Sequence, residues 1–219
     1  MHTHTHESPA QTEGRTIRWA AFYDGLVNTL TLGHAGMLRD ITVANAQLKP
    51  GEHILDVGCG TGGVTLPAKQ RVGKNGIAAG IDPAPEMIAV ARQKASRKGL
   101  EIDFRVGVIE ALPYPDASFD VVTSSLMMHH LPQDVQARGL AEVYRVLKPG
   151  GRLLIADMLR LSASLHDRLF SFLTLHGSRE RFGIQDLPDE IKTAGFENVR
   201  LLDESFLTIG FLWAEKPAG

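Results

Sequence analysis

The sequence has almost no cysteine, no long apolar run and no excess of basic charge, and each shortage excludes something. Cys59 is the single cysteine in 219 residues. No disulfide can therefore close within the chain, and no thiolate cluster can hold zinc. No stretch reaches the roughly 18 consecutive apolar residues that would mark a membrane span. Met1 to Arg18 contains no apolar core of the secretory kind. Together with the lone cysteine, this makes the cytoplasm the expected compartment. Basic residues number 23 against 25 acidic ones, a formal net charge of -2. That balance argues against a general nucleic-acid binder, so no nucleic-acid partner is expected.

What is present fits one domain with a full core: 219 residues, 43% of them hydrophobic. Residues 1–14 are polar and read as a flexible arm. His2, His4 and His6 alternate there in a way that hints at a metal, but a solvated terminus is the plainer account and no metal site is assigned. The remainder, 15–219, reads as one domain. Trp19, Phe22, Leu26 and Leu30 recur at helical spacing, Gly33 stops that helix, and a second runs from about Ala35 to Leu48. These segments, 15–48, form an N-terminal helical lid.

Alternation then begins. Short apolar segments at 52–57, 76–82, 101–106, 119–125 and 152–157 read as strands, and 64–72, 84–98 and 134–147 as helices. Lys148-Pro149-Gly150-Gly151 reads as a turn. Strands alternating with helices give an α/β fold with a mainly parallel sheet covered on both faces. Residues 198–204 and 205–215 lie too close together for a crossover helix, so they should form an antiparallel hairpin at the sheet edge. Residues 158–185 break the rhythm, with Leu165, Leu169, Phe170 and Phe172 beside Arg168, Arg179 and Arg181. They read either as a cap over an acceptor pocket or as an ordinary amphipathic helix.

The most informative segment is ILDVGCGTGGVTL (54–66), which runs strand, glycine-rich turn, helix. Glycines let backbone approach a ligand closely, and a helix start offers unpaired N–H groups. Gly58, Gly60 and Gly63 satisfy G-x-G-x-x-G, with Asp82 about 20 residues on, which is compatible with a nicotinamide oxidoreductase. Gly58, Gly60 and Gly62 also form G-x-G-x-G, with Asp56 two residues ahead. That second pattern resembles the first motif of class I S-adenosylmethionine-dependent methyltransferases. Asp82-Pro83 resembles their second motif, GVIEALPYPDASFD (107–120) their third, and RVLKPGGRLLIAD (145–157) the turn and strand that follow the fourth helix. The ordered set covers about half the chain.

The resemblance implies a Rossmann-like fold with a seven-stranded, mostly parallel sheet and an antiparallel C-terminal hairpin strand. It implies S-adenosyl-L-methionine as cofactor. Asp56 would face the ammonium, Asp82 and Pro83 the ribose, and Gly58, Cys59, Gly60 and Gly62 the backbone cradle. Met87, Val108 and Ile109 would line the adenine site, and Ser125 would close the cradle at the end of the fourth strand. The family usually places Asp where this chain has Val108. Backbone groups of Val108 and Ile109 could still read the ring edge, with Met87, Ile109 and Leu112 as apolar walls; Glu110 reads as a solvated helix-start residue.

FYDGLVNTLTLGHAGMLRD (22–40) is similar to the leader of the ubiquinone/menaquinone-biosynthesis methyltransferases, whose Tyr-Asp pair folds over the cofactor; here that pair is Tyr23-Asp24. SSLMMHHLP (124–132) departs from the quinone branch toward small-molecule enzymes at large. No Asn/Asp-Pro-Pro-aromatic motif follows the fourth strand, which lowers DNA or protein-amide substrates. One cysteine disfavours arsenite chemistry that relies on several thiols.

The resulting expectation is methyl transfer to a small, apolar acceptor. Cys59 is a small packing residue inside the turn, not a nucleophile. His129 and His130, at the carboxyl edge of the sheet, are the candidate general bases. For either one alone, a purely structural role weighs more. His34 and His176 are weaker candidates, and His53 starts a strand. A non-catalytic binder of the same cofactor is the remaining alternative. Monomer or homodimer, and peripheral membrane contact, stay open.

Overall fold

A computed structural model describes Thr29, residues 33–160 and residues 183–219. The arm 1–14, the Tyr23-Asp24 pair, His176 and most of the 158–185 segment lie outside the described residues. Helix α1 spans Ala35–Asn45. Strand β1 is His53–Val57, α2 Thr65–Val72, β2 Ile77–Asp82, α3 Pro85–Arg97 and β3 Asp103–Val106. Strand β4 is Phe119–Ser125, α4 Gln133–Val146, β5 Leu147–Met158, α5 Leu187–Thr193, β6 Glu197–Phe206 and β7 Ile209–Glu215. No described helix is long and apolar enough to cross a membrane.

One seven-stranded sheet has the order β3-β2-β1-β4-β5-β7-β6. The first five strands pair in parallel, and β7 runs antiparallel to both β5 and β6. The hairpin expected at the C-terminus is there, but its turn falls at 207–208, with Leu207 at φ 55°, and not between 204 and 205. The expected helix at 35–48 stops at Asn45. Lys148–Gly151 is not a turn between two elements but a bulge within β5. Pairing passes from Phe119↔Leu147 directly to Val121↔Arg152, so the surplus residues loop out, with Gly150 at φ 73°.

Residues alternate between the two faces with the period of two that a strand imposes. Leu55 and Val57 join Val122, Leu153, Ile155 and Leu212 under α4 and α5. Ile54 joins Val121, Leu154, Phe211 and Trp213 under α1 and α2. Helix α3 opens with Pro85, carries Glu86 in its first turn and Lys94 and Arg97 in its last, and is followed by Gly99 at φ 62°. Charge therefore complements the helix dipole at both ends. Strand order reverses between β1, which leads toward β2 and β3, and β4, which leads toward β5. In open α/β sheets the crevice at the carboxyl ends of such a pair is where ligands bind.

Candidate active site

The turn after β1 lies at that crevice. Gly58, Gly60 and Gly62 have φ of 72°, 51° and 80°, while Gly63 is not among the glycines at positive φ. The left-handed positions thus follow G-x-G-x-G and not G-x-G-x-x-G. Any side chain would be strained there. A Cβ at Gly58 would also meet Met127 Cγ at 2.5 Å, and one at Gly63 would meet Arg39 Nε at 2.8 Å.

The turn is seated on β2. The N–H groups of Gly58 and Cys59 both donate to the Ile81 carbonyl, at 2.9 and 3.0 Å. Gly60 N–H donates to Asp82 Oδ2 at 2.9 Å, and Ala84 N–H to Asp82 Oδ1 at 2.9 Å. Gly107 N–H donates to the Asp82 carbonyl at 3.1 Å, so the loop after β3 hangs on the same residue. Each carboxylate oxygen of Asp82 retains a second lone pair for a ligand hydroxyl. Burial pushes the Asp82 carboxyl up, opposed by these two backbone donors.

Asp56 lies beneath the turn, 1% exposed. Thr65 Oγ1 donates to its Oδ2 at 2.6 Å and Thr123 Oγ1 to its Oδ1 at 3.0 Å. The carboxylate therefore ties β1 to α2 and β4. Burial pushes its pKa up to about 6; the two threonines pull it down, and Asp82 adds to the rise. Asp56 nevertheless lines a cleft, with Ala35, Leu38 and Arg39 of α1, Gly58, Cys59, Thr61, Gly63 and Val64 of the turn, and Ser125 and Leu126 after β4. Cys59 is buried and packs with Leu66 and Phe104; burial pushes its thiol well up, away from a nucleophile.

Met87 and Ile109 are buried, and Ile109 packs against Gly139 of α4, where a Cβ would approach Ile109 Cγ1 to 2.7 Å. Val108 is extended and leads into a 3-10 turn, Ile109–Ala111. Pro83 follows Asp82 at the end of β2. Asp56, Gly58, Cys59 and Ser125 thus meet in one cleft. Asp82 is tied to Gly60 of the turn and to Gly107, the neighbour of Val108, by hydrogen bonds.

After Ser125 the backbone turns sharply at Leu126, φ 55°, and enters a 3-10 turn, Met128–His130. His129 Nδ1 lies 2.6 Å from Asp157 Oδ1, and the His129 and His130 ring centroids are 3.9 Å apart with their planes tilted by 45°. His53 is elsewhere: its Nδ1 lies 3.2 Å from the Ser118 carbonyl at the opposite end of the sheet. Sequence reasoning missed two residues here. Arg39 was hidden on an amphipathic helix. Asp157 ends a strand in the sequence, and a carboxylate closing the strand beside β4 is the signal the sequence carries for it.

Comparison with known proteins fits this geometry. Residues 54–151 match the family described as "Methyltransferase domain". The matched segment runs from β1 into β5 and holds the glycine turn, Asp56 and Asp82. The chain is 38% identical over 154 residues to a demethylmenaquinone methyltransferase of Deinococcus radiodurans, covering 70% of this chain and 63% of that protein. It is 36% identical over 166 residues to an arsenite methyltransferase of Halobacterium salinarum, covering 74% of this chain and 42% of that protein. The chain thus spans less than two thirds of these relatives. An S-adenosylmethionine-dependent methyltransferase from Aquifex aeolicus superposes with a TM-score of 0.67 at 24% identity, covering 81% of this chain and 88% of that one. The fold is that of class I S-adenosylmethionine-dependent methyltransferases.

Proposed function

We propose that this chain transfers a methyl group from S-adenosylmethionine to a small, apolar acceptor. The observation that carries the reading is the glycine turn: three left-handed glycines at the β1/β4 switch point, seated on Asp82, above a buried carboxylate. The residues present suit that cofactor. Its amino-acid end carries both charges, and the cleft offers a partner for each, Asp56 for the ammonium and Arg39 for the carboxylate. Asp82, with Pro83 beside it, would accept the ribose hydroxyls. Gly58, Cys59, Gly60 and Gly62 would cradle the ligand with backbone. Val108 and Ile109 would meet the adenine edge through backbone, with Met87 behind them. Ser125 would close the site from β4.

The sulfonium of the bound cofactor supplies the activated methyl. The task of the protein is alignment, which can supply about 7–11 kcal/mol in the best intramolecular cases. It also removes a proton where the acceptor bears one, for which His129 and His130 stand at the right edge. Arsenite chemistry with several thiols does not suit a chain with one buried cysteine.

Calorimetric titration of S-adenosylmethionine, S-adenosylhomocysteine and NAD(H) into the wild type and Asp82→Ala tests the reading. Micromolar binding of the first two is expected, weakened at least about tenfold, ~1.4 kcal/mol, in the variant. Binding of NAD(H) instead, or of none of them, sinks it.

A further inference from the structure

Asp157, near the end of β5, is fully buried. The register Ser125↔Ala156 sets it beside the exit of β4, and its carboxylate reaches back to the Met128–His130 turn. Oδ1 accepts the Met158 N–H at 2.7 Å and Oδ2 the His129 N–H at 3.3 Å. Each oxygen therefore already takes a backbone donor. Toward the ring, 2.6 Å away, Oδ1 is an acceptor again, so Nδ1 of His129 brings the proton. A neutral imidazole protonated at Nδ1 has its basic lone pair on Nε2, across the ring.

One carboxylate thus grips one residue twice, by backbone and by ring, which fixes both the position and the rotation of the imidazole. The ring keeps 19% side-chain exposure while Asp157 has none, so the pair reaches the accessible side through the histidine. It stands immediately beyond Ser125 and Leu126, which line the cleft, and Met127, which packs against Gly58.

We propose that Asp157 is a positioning residue that holds His129 as a proton acceptor, and that the acceptor served by this site is a hydroxyl compound. This rests on the methyl-transfer reading above and deepens it. In the step, the hydroxyl proton passes to Nε2 of His129. The hydroxyl oxygen forms the new O–C bond with the methyl carbon as the C–S bond breaks, and that bond's electron pair stays on sulfur. The products are an ether, a neutral thioether and an imidazolium, whose charge Asp157 balances through Nδ1. An acceptor that arrives already ionised, such as a thiolate, would leave this pair idle.

The tautomer is read by long-range proton–nitrogen NMR of nitrogen-15-labelled protein, first without ligand and then with excess S-adenosylhomocysteine, at a pH where the ring is neutral. Nδ1 protonated and Nε2 unprotonated is expected at His129; the reverse overturns the positioning role. Turnover is then read as S-adenosylhomocysteine release with a panel of simple phenols and alcohols and their thiol counterparts, using wild type, His129→Gln and Asp157→Asn. Hydroxyl probes should turn over, with kcat about 10²-fold lower or worse in both variants. KM and calorimetric S-adenosylmethionine affinity should stay within about threefold, which a folding defect would not allow. Turnover of thiols alone, no turnover of the hydroxyl panel by a protein that binds S-adenosylmethionine, or unchanged kcat in the variants overturns the proposal. Failure to bind S-adenosylmethionine at all is the failure of the parent reading, and the tautomer measurement separates the two.

Discussion

At Asp56 the sign of a charge effect can be worked out in full. Burial raises its carboxyl to about 6, and Thr65 and Thr123 do not cancel that rise. In the unfolded chain the same group titrates near the ordinary carboxylate value of about 4. Between roughly pH 4 and 6 the folded chain therefore holds a proton that the unfolded chain lacks. Stability from the protonated form is complete below that window and falls as pH rises through about 6. A ligand ammonium in the cleft favours the ionised form, so cofactor binding should expel the proton. Affinity for S-adenosylmethionine should rise as pH goes from 5 to 7 and level off above, with proton release visible as a dependence of binding enthalpy on the buffer. Asp56→Asn should remove both effects. It should also stabilise the ligand-free protein at pH 8 by on the order of 2 kcal/mol in urea unfolding. Affinity flat across that range would remove Asp56 from the ammonium site.

At the scale of elements, the loop after β3 depends on α4. Arg145 Nη1 donates to the Tyr114 carbonyl at 2.8 Å and Nη2 to the Leu112 carbonyl at 3.0 Å. Glu142 accepts the Leu112 N–H at 2.9 Å and is itself held by Arg145, whose hydrogen bonds lower its pKa against the opposing effect of burial. Asp116 completes the cluster but is 78% exposed, so water screens that pair. Arg145→Ala should cost about 1–3 kcal/mol of stability, because the Leu112 and Tyr114 carbonyls lose a charged donor. It should also weaken S-adenosylhomocysteine binding severalfold through the displaced Val108–Ile109 backbone. Asp116→Ala should change either by less than about 0.5 kcal/mol. Equal effects of the two variants, in urea unfolding and calorimetry, would contradict the clamp.

The same scale explains what could be read beforehand. Strands β1, β2 and β4 and the glycine turn were legible because they are local: an apolar run, a period, a residue that must be glycine. The Lys148–Gly151 bulge was not, since Pro-Gly-Gly looks alike whether it ends a strand or bows out of one. Helix α5 went unread because it is short and its apolar side, Leu187 and Ile191, gains meaning only against α4 and the sheet. The His129–Asp157 pair joins residues 28 apart in sequence through the parallel register of β4 and β5, and no local pattern carries that information. Arg39 was missed for the same reason, as it meets Gly63 only once α1 lies over the turn.

For the molecule as a whole, the site is a joint rather than an appendage. Asp56 connects β1, α2 and β4, Asp82 connects the glycine turn with the loop after β3, and Asp157 connects β5 with the exit from β4. Strands β1, β2, β4 and β5 of one sheet, with the loop after β3, thus converge where the ligand would sit, and a ligand bound there acts on the stability of the entire fold. At 100 times its dissociation constant a ligand specific for the folded state adds about 2.7 kcal/mol. For a chain of this size each kcal/mol moves the unfolding midpoint by roughly 2–4 °C. S-adenosylhomocysteine at that concentration should therefore raise Tm by about 5–11 °C in scanning calorimetry, as one cooperative transition. Asp82→Ala, binding the ligand at least about tenfold more weakly, should lose about half of the increment or more at the same ligand concentration. An increment confined to a separate low-temperature transition would show that the site couples to only part of the sheet, against the convergence described here.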